Sequence, residues 1–168
     1  MRSIITYPNP ILEQQASEIT FPLNTENKEL IQEMWEMVKG KGVGLAAPQL
    51  GVSKKICIIH LSEDKELRKR FKQPDFVMIN PKITFTSKLE SLMIEGCLSF
   101  PSDYYEIWRP ANIVVEYYNE QGQKKSIRAK DWLSRVIQHE IDHLNGNIFI
   151  KMGGKKIKDE DLTGDIVD

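Results

Sequence analysis

Hydrophobic residues recur along the chain at spacings that predict two amphipathic helices. The first is predicted over about residues 26 to 39, where the apolar positions keep the three-to-four-residue spacing of one helical face. The second is predicted from Asp131, a suitable N-cap, to Gly146, a suitable residue for ending a helix. The apolar set of the second helix is large enough to predict that it is buried. It consists of Trp132, Leu133, Val136, Ile137, Ile141 and Leu144.

Stretches rich in β-branched and aromatic residues predict strands in the middle of the chain. They cover residues 55–60, 76–80, 82–86, 113–118 and 124–130. Short helices are also predicted at residues 10–17 and 62–72, and no structure is assigned to a tail at residues 151–168. The predicted fold is α+β, with antiparallel strands packed around the buried C-terminal helix. The whole chain, residues 1–168, is expected to form a single catalytic domain.

Composition narrows the classes of function. The 168 residues include 23 Lys and Arg against 24 Asp and Glu, a balance that argues against DNA and membrane surfaces as partners. Unbroken apolar runs such as Ile56–Ile59 are far shorter than the roughly 20 residues of a membrane helix. The first residues become polar before a signal peptide can form, and two cysteines are too few for a disulfide framework. A cytoplasmic location is therefore predicted.

The second predicted helix carries an HExxH pattern at His139, Glu140 and His143. Residues four apart on a helix are one turn apart and about 40° around its axis, so both imidazoles can reach one metal ion. Glu140 lies beside them as a candidate acid and base. The pattern therefore predicts a metal site with catalytic potential.

A catalytic metal site of this kind usually takes a third protein ligand. The longer pattern HExxHxxGxxH is excluded because Phe149 occupies its last histidine position. Cys97 stands out among the remaining candidates, because it follows a glycine that permits close backbone approach and because thiolate is a strong ligand for Zn(II) or Fe(II). The other candidates are His60, Asp159, Glu160, Asp161 and Asp165.

Three segments together resemble the peptide deformylase family. They read GVGLAAPQ at residues 42–49, EGCLS at 95–99 and QHEIDHL at 138–144. The order and spacing of the trio are highly specific, and YPNPIL at residues 7–12 also fits. The resemblance implies a metal-dependent hydrolase that removes the N-formyl group from the N-terminal formylmethionine of newly synthesised polypeptides and releases formate. It covers about residues 4 to 150.

The resemblance also implies a metal centre. Cys97, His139 and His143 would hold one divalent ion, Fe(II) physiologically, with Zn(II), Ni(II) or Co(II) able to occupy the site. Water activated by that ion would attack the formyl carbonyl, and Glu140 would act as general acid and base. The partners implied are N-formylmethionyl peptides and nascent chains, with room for a transient ribosome contact.

The resemblance assigns further residues to the substrate. The amide of Leu98 and the side chain of Gln49 would bind the developing oxyanion, and Gly44 would lie beside the substrate backbone. The methionine side chain would enter an apolar pocket in which Trp132 and Arg135 are bulkier or more polar than the residues many members have there. The candidate wall residues are Val43, Met93, Trp132, Arg135 and Val136.

Two residues, Tyr104 and Arg109, are not expected to bind the substrate, and two alternative functions of the chain stay open. Tyr104 stands where many members carry an arginine, so that contact is not carried over, and Arg109 is expected to hold loops together. The first alternative is a metal-binding relative that no longer catalyses, against which the retained Glu140 and Gln49 argue. The second is a different metallopeptidase or amidase.

Overall fold

A computed structural model describes residues 2–61, 69, 74–162 and 166–167 of the chain. The helices within this part are α1 (Thr25–Val38) and α2 (Asp131–Asn145). The strands are β1 (Gly44–Ala46), β2 (Ile56–Ile59), β3 (Phe76–Thr86), β4 (Glu90–Glu95), β5 (Tyr104–Pro110), β6 (Asn112–Tyr118), β7 (Lys124–Lys130), β8 (Lys155–Ile157) and β9 (Ile166–Val167). The predicted α+β class, with antiparallel strands around a buried C-terminal helix, is confirmed.

A larger sheet forms the centre of the molecule, with its strands in the order β1-β2-β3-β6-β7 and every neighbouring pair antiparallel. Successive side chains of a strand point to opposite faces. In β2, Ile56 and Ile58 therefore pack with α1, whereas Cys57 and Ile59 pack with α2. The unbroken apolar run of this strand is explained by burial on both faces.

Helix α1 begins after Asn24, whose side-chain oxygen accepts a hydrogen bond from the Asn27 amide at 2.9 Å. Its apolar face buries Leu30, Ile31 and Met34 against one side of the larger sheet. The predicted helix is therefore confirmed, with its ends within one residue of the expected ones.

Helix α2 packs against the other side of the larger sheet. It ends as predicted at Gly146, which adopts the left-handed conformation with φ 73°. The prediction that Asp131 is the N-cap is wrong: Lys130 occupies that position without a side-chain cap bond. Strand β7 runs directly into the helix, and the Asp131 amide donates to the carbonyl of Ala111 at 2.8 Å instead.

A smaller sheet has the order β8-β5-β4-β9. Its central pair, β4 and β5, is antiparallel and was not predicted from the sequence, because charged and polar residues interrupt the apolar pattern of both strands. The flanking strands β8 and β9 come from the tail, to which the sequence assigned no structure. The smaller sheet is thus assembled from two distant parts of the chain.

The helix predicted at residues 10–17 and the two strands predicted at 76–80 and 82–86 differ from the structure, and the helix predicted at 62–72 stays untested. The helix predicted at residues 10–17 is a single 3-10 turn, Pro10–Glu13, capped by Asn9. The two strands predicted at 76–80 and 82–86 are one strand, β3, whose register shifts at Asn80, a residue with φ 49°. The helix predicted at residues 62–72 lies outside the described residues, apart from residue 69.

Neither α1 nor α2, the two α-helices described for this chain, has the length and apolar composition needed to cross a bilayer.

Candidate active site

Three potential metal ligands meet at the junction between the smaller sheet and α2. Cys97 follows the end of β4, and His139 and His143 lie one turn apart on α2. One ligand atom from each of the three lies within 4.8 Å of the others, and the Cys97 Sγ is 3.3 Å from the His143 Nε2. All three side chains are buried. The structure therefore brings together the trio that the sequence singled out.

A buried carboxylate fixes the orientation of His139. The Nδ1 atom of His139 is 2.9 Å from the Oε2 atom of Glu95, whose side chain is 0% exposed. A histidine that ligates a metal through one ring nitrogen usually donates its other N–H to such a partner. The contact therefore leaves the Nε2 atom of His139 available to a metal. The sequence reasoning missed Glu95, although an acid at the end of β4, just before Gly96 and Cys97, was a detectable signal.

Two arginines neutralise the buried Glu95. Arg109 donates from Nε to Oε1 at 2.6 Å and from Nη2 to Oε2 at 2.9 Å, and Arg135 donates from Nη1 to Oε1 at 2.8 Å. Burial opposes the charge of Glu95, but the hydrogen bonds from His139 and Arg109 outweigh it, so the pKa of Glu95 lies well below its usual range. Arg109 also donates to Asp142 at 2.5 Å, and it thereby connects β4 to α2.

The donor set suits a divalent metal. One thiol and two imidazoles match the sulfur and nitrogen ligands that Zn(II) and Fe(II) take in proteins. Burial and the neighbouring His139 lower the pKa of His143 well below its usual value, which keeps this imidazole neutral, the form that binds a metal. Burial lowers the pKa of His139, but the contacts of its ring with Cys97 and Glu95 outweigh burial and raise that pKa well above its usual value, so the site favours positive charge at this ring.

Glu140 lies against Gly44 of β1. A Cβ atom added to Gly44 would come within 2.8 Å of the Cδ atom and 2.9 Å of the Cγ atom of Glu140. The side chain of Glu140 is buried, and the residue directly follows His139 of the ligand trio on α2. Only glycine at position 44 leaves room for the carboxyl group where it stands.

Gln49 is held with its amide nitrogen toward Cys97. Its Oε1 atom accepts a hydrogen bond from the Ala46 amide at 2.8 Å, and its Nε2 atom lies 3.4 Å from the Cys97 Sγ and 3.3 Å from the Ser99 Oγ. Leu98 lies between these last two residues, so its backbone amide belongs to the same turn. The side-chain donor of Gln49 therefore faces the candidate metal centre.

The candidate pocket residues differ in their burial. Val43 is half-buried beside β1 and Met93 is half-buried on β4, whereas Trp132 and Val136 are buried in the core under α2. The side chain of Arg135 is also buried and its guanidinium contacts Glu95. Their predicted contact with a substrate side chain stays a prediction.

The other candidate ligands do not join the trio. The His60 Nδ1 atom is 2.8 Å from the Asp75 Oδ2 atom. Asp159, Glu160 and Asp161 form an exposed 3-10 turn, and Asp165 lies outside the described residues. Among the described residues, the one group able to hold a metal ion is that of Cys97, His139 and His143.

A buried thiol, two histidines one turn apart and an adjacent carboxylate define a metal-dependent hydrolase. Comparison with known proteins identifies the family. A family model for polypeptide deformylase matches residues 1–158, and the chain belongs to this family. It therefore removes the N-formyl group from newly synthesised polypeptides.

Individual relatives agree with this assignment. The chain is 41% identical over 151 residues to the peptide deformylase of Bartonella tribocorum, a match that covers 89% of this chain and 83% of the relative. The crystal structure of peptide deformylase from Ehrlichia chaffeensis in complex with actinonin is 38% identical, with a TM-score of 0.81, and covers 90% of this chain and 87% of its own. The deformylase from Legionella pneumophila has the same TM-score at 32% identity, covering 90% of this chain and 85% of its own.

Proposed function

We propose that this chain deformylates N-formylmethionyl peptides and nascent chains in the cytoplasm, with Cys97, His139 and His143 holding the metal. The whole chain, residues 1–168, forms one catalytic domain in this proposal. The single observation that carries it is the convergence of three ligand atoms within 4.8 Å, with Gln49 Nε2 3.4 Å from Cys97 Sγ.

The native ion of the proposal is Fe(II), with Zn(II), Ni(II) and Co(II) as substitutes. A mixed thiolate and imidazole site accepts all four, so availability in the cell decides between them. Cys97, His139 and His143 would hold the divalent ion, which would supply Lewis-acid chemistry by lowering the pKa of water and polarising the formyl carbonyl.

Glu140 is the general acid and base of the proposal. It accepts the proton that the attacking water loses and then delivers it to the nitrogen of the leaving peptide, so that formate and a free amine result. Its burial supports this role, because a carboxylate shielded from bulk water retains the proton between the two steps. Such proton transfer contributes typically about 10²- to 10⁴-fold to the rate.

Gln49 and the amide of Leu98 donate hydrogen bonds to the oxyanion that develops on the formyl oxygen. The bond from the Ala46 amide to Gln49 Oε1 supports this role, because it fixes the side chain with its nitrogen toward the trio. Loss of one such donor costs on the order of 3 kcal/mol of transition-state stabilisation.

Gly44 leaves room for the substrate backbone as well as for Glu140. The methionine side chain enters a pocket between β4 and α2. Its walls are Val43, Met93, Trp132 and Val136, whereas the guanidinium of Arg135, also expected there from the sequence, is bound to Glu95.

Formate release tests the proposal. We expect metal-loaded protein to release formate from a short formyl-Met peptide and to leave the matching acetyl-Met peptide intact. Glu140→Gln is expected to keep its metal and lose activity, whereas Cys97→Ser loses metal. Normal activity of Glu140→Gln contradicts its role as general base. A folded, metal-replete wild type that releases no formate indicates a relative that no longer catalyses.

A separate sedimentation assay tests the proposed ribosome contact. A nascent chain presents its formyl group while it is still attached to the ribosome, so we include a transient ribosome contact in the proposal. Co-sedimentation of the protein with ribosomes that carry a formyl-Met nascent chain is the expected result, weakened by salt. Equal sedimentation with and without ribosomes contradicts this contact.

A further inference from the structure

The proposed metal ligands belong to two separately packed parts of the fold. Cys97 follows β4 of the smaller sheet, whereas His139 and His143 lie on α2, which packs against the larger sheet. The distance between the thiol and the imidazoles therefore depends on how α2 is held against the smaller sheet.

Arg135 makes its hydrogen bonds across this junction. It lies on α2 with 1% of its side chain exposed. Its Nη1 atom donates to the Ile107 carbonyl of β5 at 2.8 Å, in addition to Glu95, and its Nη2 atom donates to the Ser91 carbonyl of β4 at 2.6 Å. One side chain of α2 thus binds both central strands of the smaller sheet.

Arg135 and His139 also share one carboxylate. They are one turn apart on α2, and Arg135 binds the Oε1 atom of Glu95 while His139 binds the Oε2 atom. Glu95 is two residues before Cys97 in the chain. The helix therefore holds the strand end next to Cys97 at two points, one of which is a ligand histidine.

We propose that Arg135 is a positioning residue for the metal centre, which fixes Cys97 relative to His139 and His143 by anchoring α2 to β4 and β5. This inference rests on the metal site of the proposed function. It differs from the expectation that Arg135 contacts the substrate, because every hydrogen bond of its guanidinium described above goes to the protein itself.

A role of Arg135 through its charge and a role through geometry predict opposite effects of an uncharged replacement on the affinity for a divalent cation. If Arg135 acted through its positive charge, an uncharged replacement would bind a divalent cation more tightly, because a nearby repulsion is removed. If Arg135 fixes the ligand geometry, the same replacement binds the cation more weakly. Lysine separates the two further, since it keeps the charge but lacks the planar fork that reaches several acceptors at once.

The experiment measures Co(II) binding by titration of metal-free, reduced protein without air, with the visible absorption of the cobalt–thiolate site as the signal. The variants are Arg135→Met, Arg135→Lys and the matched control Ser134→Ala. Ser134 is also buried on α2 and donates to a β5 carbonyl, that of Pro110, at 3.2 Å, without touching Glu95. Circular dichroism checks that each variant is folded.

We expect Arg135→Met and Arg135→Lys to bind Co(II) at least about tenfold more weakly than the wild type, with a changed absorption spectrum. Ser134→Ala should match the wild type in both. If Arg135→Met does not fold, the Co(II) affinity of Arg135→Lys alone decides whether Arg135 positions the ligands. Affinities of both arginine variants within about threefold of the wild type overturn the inference, and so does tighter binding by Arg135→Met with unchanged binding by Arg135→Lys.

Two further outcomes are distinguishable. Unchanged Co(II) binding, together with an altered kcat/KM ratio between formyl-Met and formyl-norleucine peptides, makes Arg135 a substrate contact and refutes a positioning role. A wild type that binds no Co(II), or whose binding is unaffected by Cys97→Ser, refutes the proposed metal site itself.

Discussion

Replacing Gly44 by alanine displaces the carboxylate of Glu140 without removing it. The added Cβ atom would lie 2.8 Å from Glu140 Cδ, and ordinary van der Waals contact begins at 3.4 Å, so the carboxyl carbon has to move by about 0.6 Å. A misplacement of about 1 Å at a reacting group costs roughly 10²-fold in rate. We therefore expect kcat to fall by about 10- to 100-fold.

The same substitution should leave the fold intact. The atoms that the new Cβ meets belong to the end of a flexible side chain, and Gly44 does not have a positive φ. Alanine also restricts the unfolded chain, which offsets part of the strain, so the free energy of unfolding should change by less than about 1 kcal/mol. Metal content should equal that of the wild type.

A double variant provides the control. In Glu140→Ala the carboxyl group is absent, so Gly44→Ala added to it should cause no further loss of kcat. Stopped reactions that quantify formate from a formyl-Met peptide give kcat and KM for all four proteins. Wild-type kcat in Gly44→Ala refutes the reasoning. If the reductions in kcat of the two single variants multiply in the double variant and KM rises, position 44 acts on the substrate alone and not through Glu140.

Three other predictions concern stability and the metal. Glu95→Gln leaves two buried arginines without their carboxylate and should lower the free energy of unfolding, measured by urea titration, by about 3–5 kcal/mol. A loss below about 1 kcal/mol would contradict the stabilising role of the Glu95 carboxylate. Gly146→Ala should be more destabilising than Gly153→Ala. Both glycines have positive φ, but a Cβ atom at position 146 would meet the Gln14 backbone at 2.8 Å, whereas one at position 153 would meet nothing within 4 Å. Equal melting temperatures of the two variants would disprove this packing explanation. The Fe(II) form should lose activity faster in air than under nitrogen because Cys97 and the iron oxidise, whereas equal half-lives would argue against an iron–thiolate centre.

The sequence was most informative where a local pattern determines the result. The two helices follow from the spacing of their apolar residues, and the HExxH pattern places His139 and His143 one turn apart wherever α2 packs. Cys97 stood out among the candidate third ligands from its own sequence context, and the deformylase resemblance then assigned it to the metal. Its approach to within 3.3 Å of His143 Nε2 in the fold agrees with that choice.

The sequence was least informative where partners are distant along the chain. Glu95 binds Arg109, Arg135 and His139, which are 14, 40 and 44 residues away. No local spacing connects them, and a glutamate in a half-polar strand has no apolar pattern to mark it as buried. The sequence also assigned Arg135 to the substrate pocket, because the partners that bind its guanidinium lie on β4 and β5, two strands that were not predicted.

The two central strands of the smaller sheet, β4 and β5, depend on the tail to pair their outer edges. Strand β8 pairs with β5 and β9 pairs with β4, so the tail supplies the strands on both sides of the central hairpin. An edge strand with unpaired N–H and C=O groups is a template for another chain. The tail thus shields this hairpin from edge-to-edge aggregation, and a chain shortened to residue 154 should self-associate through β4 and β5 in light scattering.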